Sequence, residues 1–207
     1  AERRAIEALA CECGLALISD EVFYDYALNG PRGVSFAQEG QGLHFALSGL
    51  SKVLALPQAK LGWMVVGGEA SLRDEALARL EIVADTYLSV GGAIQEALPE
   101  LLALCEAVQE AVKQRISSNY DLLKNVLASS AEICTSEGGW YGVVRVEGVD
   151  DEQLALGLLQ RENTLVHPGY FYDFPAGPYL VLSLLPKDFE QGVQRLANFL
   201  ERRENRG

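Results

Sequence analysis

Alternating apolar and polar positions divide the first half of the chain into short strands and helices. Ile6, Leu9 and Ala10 share one face of a predicted helix over residues 1–13, which ends at Gly14. Apolar runs follow at LALISD, LHFALS and LGWMVVGG, with a helix after the third. The first of these runs is typical of a buried parallel strand. The pattern therefore predicts an α/β sheet covered on both faces.

The second half of the chain has the pattern of a compact α+β unit. A long amphipathic helix precedes strands at EICTSE and WYGVVRV, a helix at DDEQLALGLLQREN, strands at TLVHP and YLVLSLL, and a final helix. Asp150 or Asp151 is suited to cap the middle helix. We therefore expect two domains, residues 1–110 and 111–207, with the boundary inside the long helix.

Charge and composition limit the classes of partner. Of 207 residues, 49% are hydrophobic, and 29 acidic against 17 basic residues give a net charge of −12. Such an acidic chain repels phosphate backbones and anionic lipids, so we expect neither a nucleic-acid nor a membrane partner. No apolar run approaches the ~20 residues that span a bilayer.

The four cysteines and the first residues of the chain indicate its setting. Cys11, Cys13, Cys105 and Cys134 form no CxxC pair and there are only two histidines, so we expect no metal site. Scattered cysteines of this kind are typical of reduced thiols, which favours a cytoplasmic location. The chain begins without Met and already in helical rhythm, which indicates a piece of a longer protein.

Polar residues at the ends of two predicted strands are candidates for chemistry. Asp20 directly follows LALIS, and ligands of open α/β sheets bind at the carboxyl ends of strands. An isolated Asp there is more often a turn former. Ser51 and Lys52 follow the next strand, and the apolar Leu50 and Val53 around Lys52 favour a neutral, nucleophilic amine. A lysine that only extends into solvent is the alternative.

Four motifs follow one another along the chain: LISDEVFYDY, GLSKVLALPQAKLGW, the GGWY turn and VHPGYFYDF. In this order they resemble the class I/II aminotransferases, which use pyridoxal 5′-phosphate (PLP). The resemblance implies the PLP-dependent transferase fold, with part of the large-domain mixed sheet in residues 1–110 and the small α+β domain in 111–207. Only the C-terminal half of such an enzyme is matched, so we expect this chain alone to be inactive.

The resemblance also implies roles for single residues. Lys52 would be the catalytic lysine that forms the Schiff base with PLP, and Asp20 would pair with the pyridinium nitrogen. Ser51 and Lys60 would hold the cofactor phosphate. Amino acid and 2-oxo acid substrates, a biosynthetic role and a homodimer are implied in the same way.

Three positions depart from the family pattern. Lys60 stands where Arg is usual, and Phe23 where a tyrosine donates to the cofactor. The neighbouring Tyr24 would point the other way in an extended segment. Val181 occupies the position of the arginine that binds the substrate carboxylate. Two alternatives therefore stay open: a PLP enzyme of another type (β-lyase, racemase or decarboxylase) and a degenerate ligand-binding paralogue without catalysis.

Overall fold

The computed structural model describes residues 2–38, 40–148, 150–174 and 177–204, and the chain divides into two compact units. The first unit combines the segment up to Ala27 with Pro31–Gln109. The second combines Leu28–Gly30 with the described residues from Glu110 onward.

The sheet of the first unit has three strands in the order β1-β2-β3: β1 Leu17–Asp20, β2 His44–Gly49 and β3 Gly62–Gly67. β1 runs parallel to β2, with Asp20 opposite Leu47. β3 runs antiparallel to β2, with Gly62 opposite Gly49. The carboxyl ends of β1 and β2 and the amino end of β3 therefore meet at one edge of the sheet, which we call the candidate edge.

Within the described residues, six helices belong wholly or partly to this unit: α1 Glu2–Glu12, α2 Leu50–Val53, α3 Ala70–Asp85, α4 Gly92–Glu96, α5 Leu98–Leu102 and α6 Cys105–Val126, which continues into the second unit. Pro99 lies in the first turn of α5, where its missing N–H has no intrahelical partner to lose. A break between α4 and α5 therefore lies just before this proline.

A small core fixes α2 to the helices that follow it. Leu50, Val53, Leu54 and Leu61 are buried together. Side chains from α4, α5 and α6 pack against them, namely Ile94, Leu98, Leu101, Cys105 and Val108. The turn that carries Ser51 and Lys52 is therefore anchored by the apolar residues on either side of it in sequence.

The two faces of the first sheet are less covered than the apolar runs predict. Ile18 of β1 is 72% exposed and Leu9 of α1 is 60% exposed. α3, which is described in full, buries no residue. The described residues therefore leave part of this apolar surface exposed, and the covering of both faces of the sheet stays a prediction. An apolar run shows that a surface is suited to burial, but it does not say which element covers it.

The second unit is an antiparallel sheet with two helices. Its strands lie in the order β4-β5-β7-β6: β4 Glu132–Ile133, β5 Tyr141–Arg145, β6 His167–Pro168 and β7 Tyr179–Ser183. Its helices are α7 Asp151–Glu162 and α8 Phe189–Glu204, besides the end of α6. Asp150 caps α7, because its carboxylate accepts a hydrogen bond from the Gln153 amide at 3.1 Å.

Two classes of feature are absent from the described ranges. None of the helices there combines the length and the apolar character required to cross a bilayer. No group of three or more His, Cys, Asp or Glu side chains there is arranged to hold a metal ion.

Candidate active site

Two neighbouring carboxylates, Asp20 and Glu21, lie at the carboxyl end of β1. Glu21 accepts hydrogen bonds from the Ser35 hydroxyl and from the Phe36 amide, the latter at 2.7 Å, and so ties a loop to the strand end. Asp20 is exposed, and its Oδ1 accepts a bond from the Val22 amide at 3.2 Å. Asp20 is therefore the carboxylate that the candidate edge offers to a ligand.

The predicted lysine lies on a single helical turn. Ser51 and Lys52 belong to α2, which directly follows β2, and both are half-buried. Lys52 Nζ lies 5.1 Å from the centroid of the Phe23 ring, within the range of a cation–π contact. The apolar neighbours Leu50 and Val53 pack into the core cluster. The expectation that these neighbours favour a neutral amine stays a prediction.

Two distant side chains hold the backbone of this turn. The Tyr26 hydroxyl donates to the Lys52 carbonyl oxygen at 2.7 Å. The Gln109 side-chain amide donates to the Val53 carbonyl oxygen at 3.3 Å. Neither residue is indicated by the sequence, since no local pattern links a side chain to a carbonyl elsewhere in the chain.

Burial raises the pKa of two groups near the α2 turn, Tyr26 and Cys105. It raises the pKa of Tyr26 to about 12, with smaller contributions from the charges of Asp25 and Cys105. Burial and then the Asp25 charge raise the pKa of the Cys105 thiol as well. The Tyr26 hydroxyl therefore keeps its proton at neutral pH and acts as a donor.

Lys60 stands directly before β3 in an unusual backbone conformation. Its φ of 53° and ψ of 39° are left-handed, a region that non-glycine residues enter only at an energetic cost. The next residue, Leu61, accepts a hydrogen bond through its carbonyl from the Leu50 amide at 3.0 Å. The backbone beside Lys60 is thus joined directly to the start of α2.

A close glycine contact allows this approach. A Cβ added to Gly49 would lie 3.0 Å from Gly62 Cα and 3.0 Å from the Leu61 carbonyl oxygen. Both are backbone atoms, so they cannot turn aside as a flexible side chain would. The structure thereby brings all four residues predicted from sequence, Asp20, Ser51, Lys52 and Lys60, to the candidate edge.

The segment after Asp20 is a turn, so the expectation of an extended segment is wrong. The Tyr24 amide donates to the Glu21 carbonyl at 3.0 Å and the Tyr26 amide to the Phe23 carbonyl at 2.9 Å. The Tyr24 hydroxyl donates to the Gly33 carbonyl at 2.8 Å. Tyr24 is therefore engaged with a neighbouring loop.

The second unit holds the other positions that the sequence singled out. Val181 lies in β7 with only 6% of its surface exposed, opposite Val143 and His167. His167 is exposed, and its Nδ1 lies 2.8 Å from the Tyr172 hydroxyl. It belongs to a partly exposed cluster of rings formed with Tyr170, Phe171, Tyr172, Phe174 and Tyr179. The run YFYDF is the sequence signal that could have indicated this cluster.

Comparison with known proteins gives the family. Residues 1–184 match the family model of aminotransferase class I and II. The chain belongs to this family. An alanine aminotransferase of Mycobacterium tuberculosis H37Rv is 26% identical over 204 residues, which cover 93% of this chain and 48% of that aminotransferase.

Solved aminotransferases share the fold. A tyrosine aminotransferase from Leishmania infantum aligns with a TM-score of 0.83 and 19% identity, over 96% of this chain and 51% of its own. An α-aminoadipate aminotransferase from Thermus thermophilus, complexed with N-(5′-phosphopyridoxyl)-L-leucine, aligns at 0.77 and 20% identity over 99% and 55%. The expected PLP-dependent transferase fold is confirmed, and the chain spans about half the length of the aminotransferases it matches.

Proposed function

We propose that the protein containing this chain is a PLP-dependent aminotransferase, which moves an amino group from an amino acid to a 2-oxo acid. Membership of the class I and II aminotransferases supports the reaction. The phosphopyridoxyl ligand of the Thermus aminotransferase supports PLP as the cofactor. The observation that carries the proposal is the meeting of Asp20, Ser51, Lys52 and Lys60 at the candidate edge.

The chemistry of these four side chains fits PLP. The cofactor has a phosphate dianion, a ring nitrogen that works best protonated, and an aldehyde that bonds a lysine amine. The Ser51 hydroxyl and the Lys60 ammonium would hold the phosphate, and the Asp20 carboxylate would keep the proton on the ring nitrogen. Lys60 lacks the planar fork of arginine, so its hold on the phosphate is less directional.

The chain's own part in the reaction is proton transfer and positioning. PLP, when bound, supplies an electron sink for the substrate carbon that loses its proton. Lys52 Nζ takes that proton and returns it, which is general acid–base catalysis. The Phe23 ring lies 5.1 Å from Nζ in the structure and so borders the amine that moves the proton.

Covalent capture of PLP tests the role of Lys52. The whole protein mixed with PLP is expected to gain a visible absorbance band, and borohydride reduction followed by peptide mass spectrometry is expected to find the phosphopyridoxyl group on Lys52. Lys52→Ala is expected to abolish both signals, while the matched control Lys187→Ala, at an exposed position in the second unit, keeps them. A band that persists in Lys52→Ala contradicts the proposal.

The burial of Val181 favours a second candidate, PLP chemistry of another type. The resemblance gives this position to the arginine that binds the substrate carboxylate, yet an apolar side chain with 6% exposure stands there. A ¹⁵N-labelled amino acid given with a 2-oxo acid separates the candidates. An aminotransferase moves the label to the new amino acid, a β-lyase releases it as ammonia, a decarboxylase releases CO₂, and a racemase only inverts the donor. A non-catalytic paralogue captures PLP and forms none of these products.

Four further proposals follow from the family and the cysteines. We propose that residues 1–110 are part of the large PLP-binding domain and residues 111–207 the small domain. We also propose a homodimer, a cytoplasmic location and a biosynthetic role. The four cysteines are free thiols, in keeping with a reducing compartment. Sedimentation of the whole protein at twice its chain mass would support the homodimer.

A further inference from the structure

We propose that Tyr26 is a positioning residue for Lys52, because its buried hydroxyl fixes the helical turn that presents the amine. The inference rests on the proposed function, since it assigns a second residue to the same lysine. The contact is short, with the hydroxyl oxygen 2.7 Å from the Lys52 carbonyl oxygen, and Tyr26 is completely buried.

The α2 turn depends on contacts with the rest of the fold because so short a helix is not stable by itself. α2 has only four residues, and its N-cap, Gly49, provides no side-chain hydrogen bond. Helices of this length are unstable on their own. The residue two positions after the helix, Ala55, is left-handed with a φ of 54°, and its amide closes the turn by donating to the Lys52 carbonyl oxygen at 3.3 Å. The buried Leu50 and Val53 anchor the turn, and the shorter bond from Tyr26 adds to them at the Lys52 carbonyl itself.

One turn of the chain contacts Lys52 at both of its ends. Phe23 places its ring 5.1 Å from Nζ, and Tyr26 bonds the carbonyl oxygen of the same residue. The two are joined through the hydrogen bond from the Tyr26 amide to the Phe23 carbonyl at 2.9 Å. The same turn of the chain therefore contacts both the amine of Lys52 and its backbone.

Tyr26 is suited to this role by its surroundings. Burial raises its pKa to about 12, so the hydroxyl stays protonated and donates throughout the working range of an enzyme. A buried hydroxyl without an acceptor is costly, which keeps the bond to Lys52 formed. The bond from Gln109 to the Val53 carbonyl, at 3.3 Å, acts beside it and is longer.

Two measurements on the whole protein separate positioning from a merely structural role. The first is the rate at which Lys52 captures PLP covalently, followed by absorbance. The second is the affinity for pyridoxine 5′-phosphate, which has the ring and the phosphate but no aldehyde and cannot react with an amine. Tyr26→Phe removes only the hydroxyl, and Tyr24→Phe is the matched control, because its hydroxyl bonds the Gly33 carbonyl.

The inference predicts a split between these two measurements. In Tyr26→Phe, capture slows about fivefold, the effect of one net hydrogen bond, while the affinity for pyridoxine 5′-phosphate is unchanged. Tyr24→Phe behaves as the wild type. Equal capture rates in wild type and Tyr26→Phe overturn the inference, and so does an equal loss in both measurements, which indicates general loosening of the fold.

The remaining outcomes are also decisive. If the wild type itself captures no PLP at Lys52, the proposed function fails and this inference fails with it. If Tyr26→Phe does not fold, Gln109→Met gives the answer, because it removes the second bond to the turn. Slower capture in Gln109→Met at unchanged pyridoxine 5′-phosphate affinity supports the inference that side chains outside α2 position Lys52. An unchanged capture rate overturns that inference.

Discussion

Tyr26 links the candidate site to the stability of the fold through its proton. Its pKa is about 12 in the folded chain against an ordinary value of 10.0. As the pH rises, the unfolded chain therefore releases this proton before the folded chain does. The contribution to stability is fully present below pH 10 and is lost as the pH rises through 12. The loss amounts to at most about 3 kcal/mol.

Replacing this tyrosine should remove that part of the alkaline dependence. In Tyr26→Phe, the free energy of unfolding is expected to fall less steeply between pH 10 and 12 than in the wild type, because no buried phenol titrates. Urea unfolding across this range is the measurement. Tyr24→Phe is the control for loss of a tyrosine near the surface. Equal slopes in wild type and Tyr26→Phe would refute the linkage.

At the scale of elements, the pairing of β2 with β3 depends on a histidine and a glycine. His44 is 1% exposed, and its Nδ1 lies 3.1 Å from the Gly42 carbonyl oxygen. Its ring covers Gly67, its partner across the strands, so that a Cβ there would lie only 2.1 Å from Nε2. Because the ring is almost completely buried, moving it aside would disturb its packing.

An alanine at this glycine tests the contact. Gly67→Ala is expected to lower the free energy of unfolding by about 1–3 kcal/mol, the usual effect of overpacking. Gly92→Ala is the control, because nothing lies within 4 Å of a Cβ at that glycine. Urea unfolding measures both, and a double variant with His44→Ala should lose less than the sum of its single changes. Additive losses would mean that the ring is not the obstacle.

The sequence predicted the elements well and their contacts poorly. Local periodicity and turn residues located the strands, the longer helices and the cap at Asp150, because these depend on neighbours along the chain, but they did not indicate the short helices α2, α4 and α5. Family motifs pointed to Asp20, Ser51, Lys52 and Lys60, whose roles stay proposals. The bond from Tyr26 to Lys52 depends on how the chain returns on itself, which no local pattern records. The exposure of Ile18 escaped prediction because hydrophobicity does not identify the covering partner.

At the scale of the whole molecule, charge and exposed apolar surface act against each other. The net charge of −12 keeps copies of the chain apart at neutral pH. Among the described residues, β1 is an edge strand that pairs with β2 on one side and with no strand on the other. Its Ile18 is 72% exposed. Edges of this kind pair with other chains unless a charge opposes it. Association of this chain should therefore grow as salt is added or as the pH approaches 4.6, its isoelectric point.

A lysine on the edge strand tests where the copies meet. Ile18→Lys is expected to reduce the association of the 207-residue chain at a given concentration, because an edge charge disfavours strand pairing. Val34→Lys is the matched control, since Val34 is 61% exposed but lies in a loop. Static light scattering over a concentration series reports the difference. Equal scattering from the two variants would place the contact elsewhere.

The left-handed backbone at Lys60 sets two selective pressures against each other at this position, one for stability and one for a cation. A lysine with a φ of 53° gives up roughly 1–2 kcal/mol of conformational preference that a glycine would keep. Lineages selected only for heat resistance would therefore replace it with glycine or asparagine. Lineages that must retain a phosphate-bearing cofactor would keep a cation despite the strain. The amino acid found there after many generations would tell which of the two demands had governed the protein.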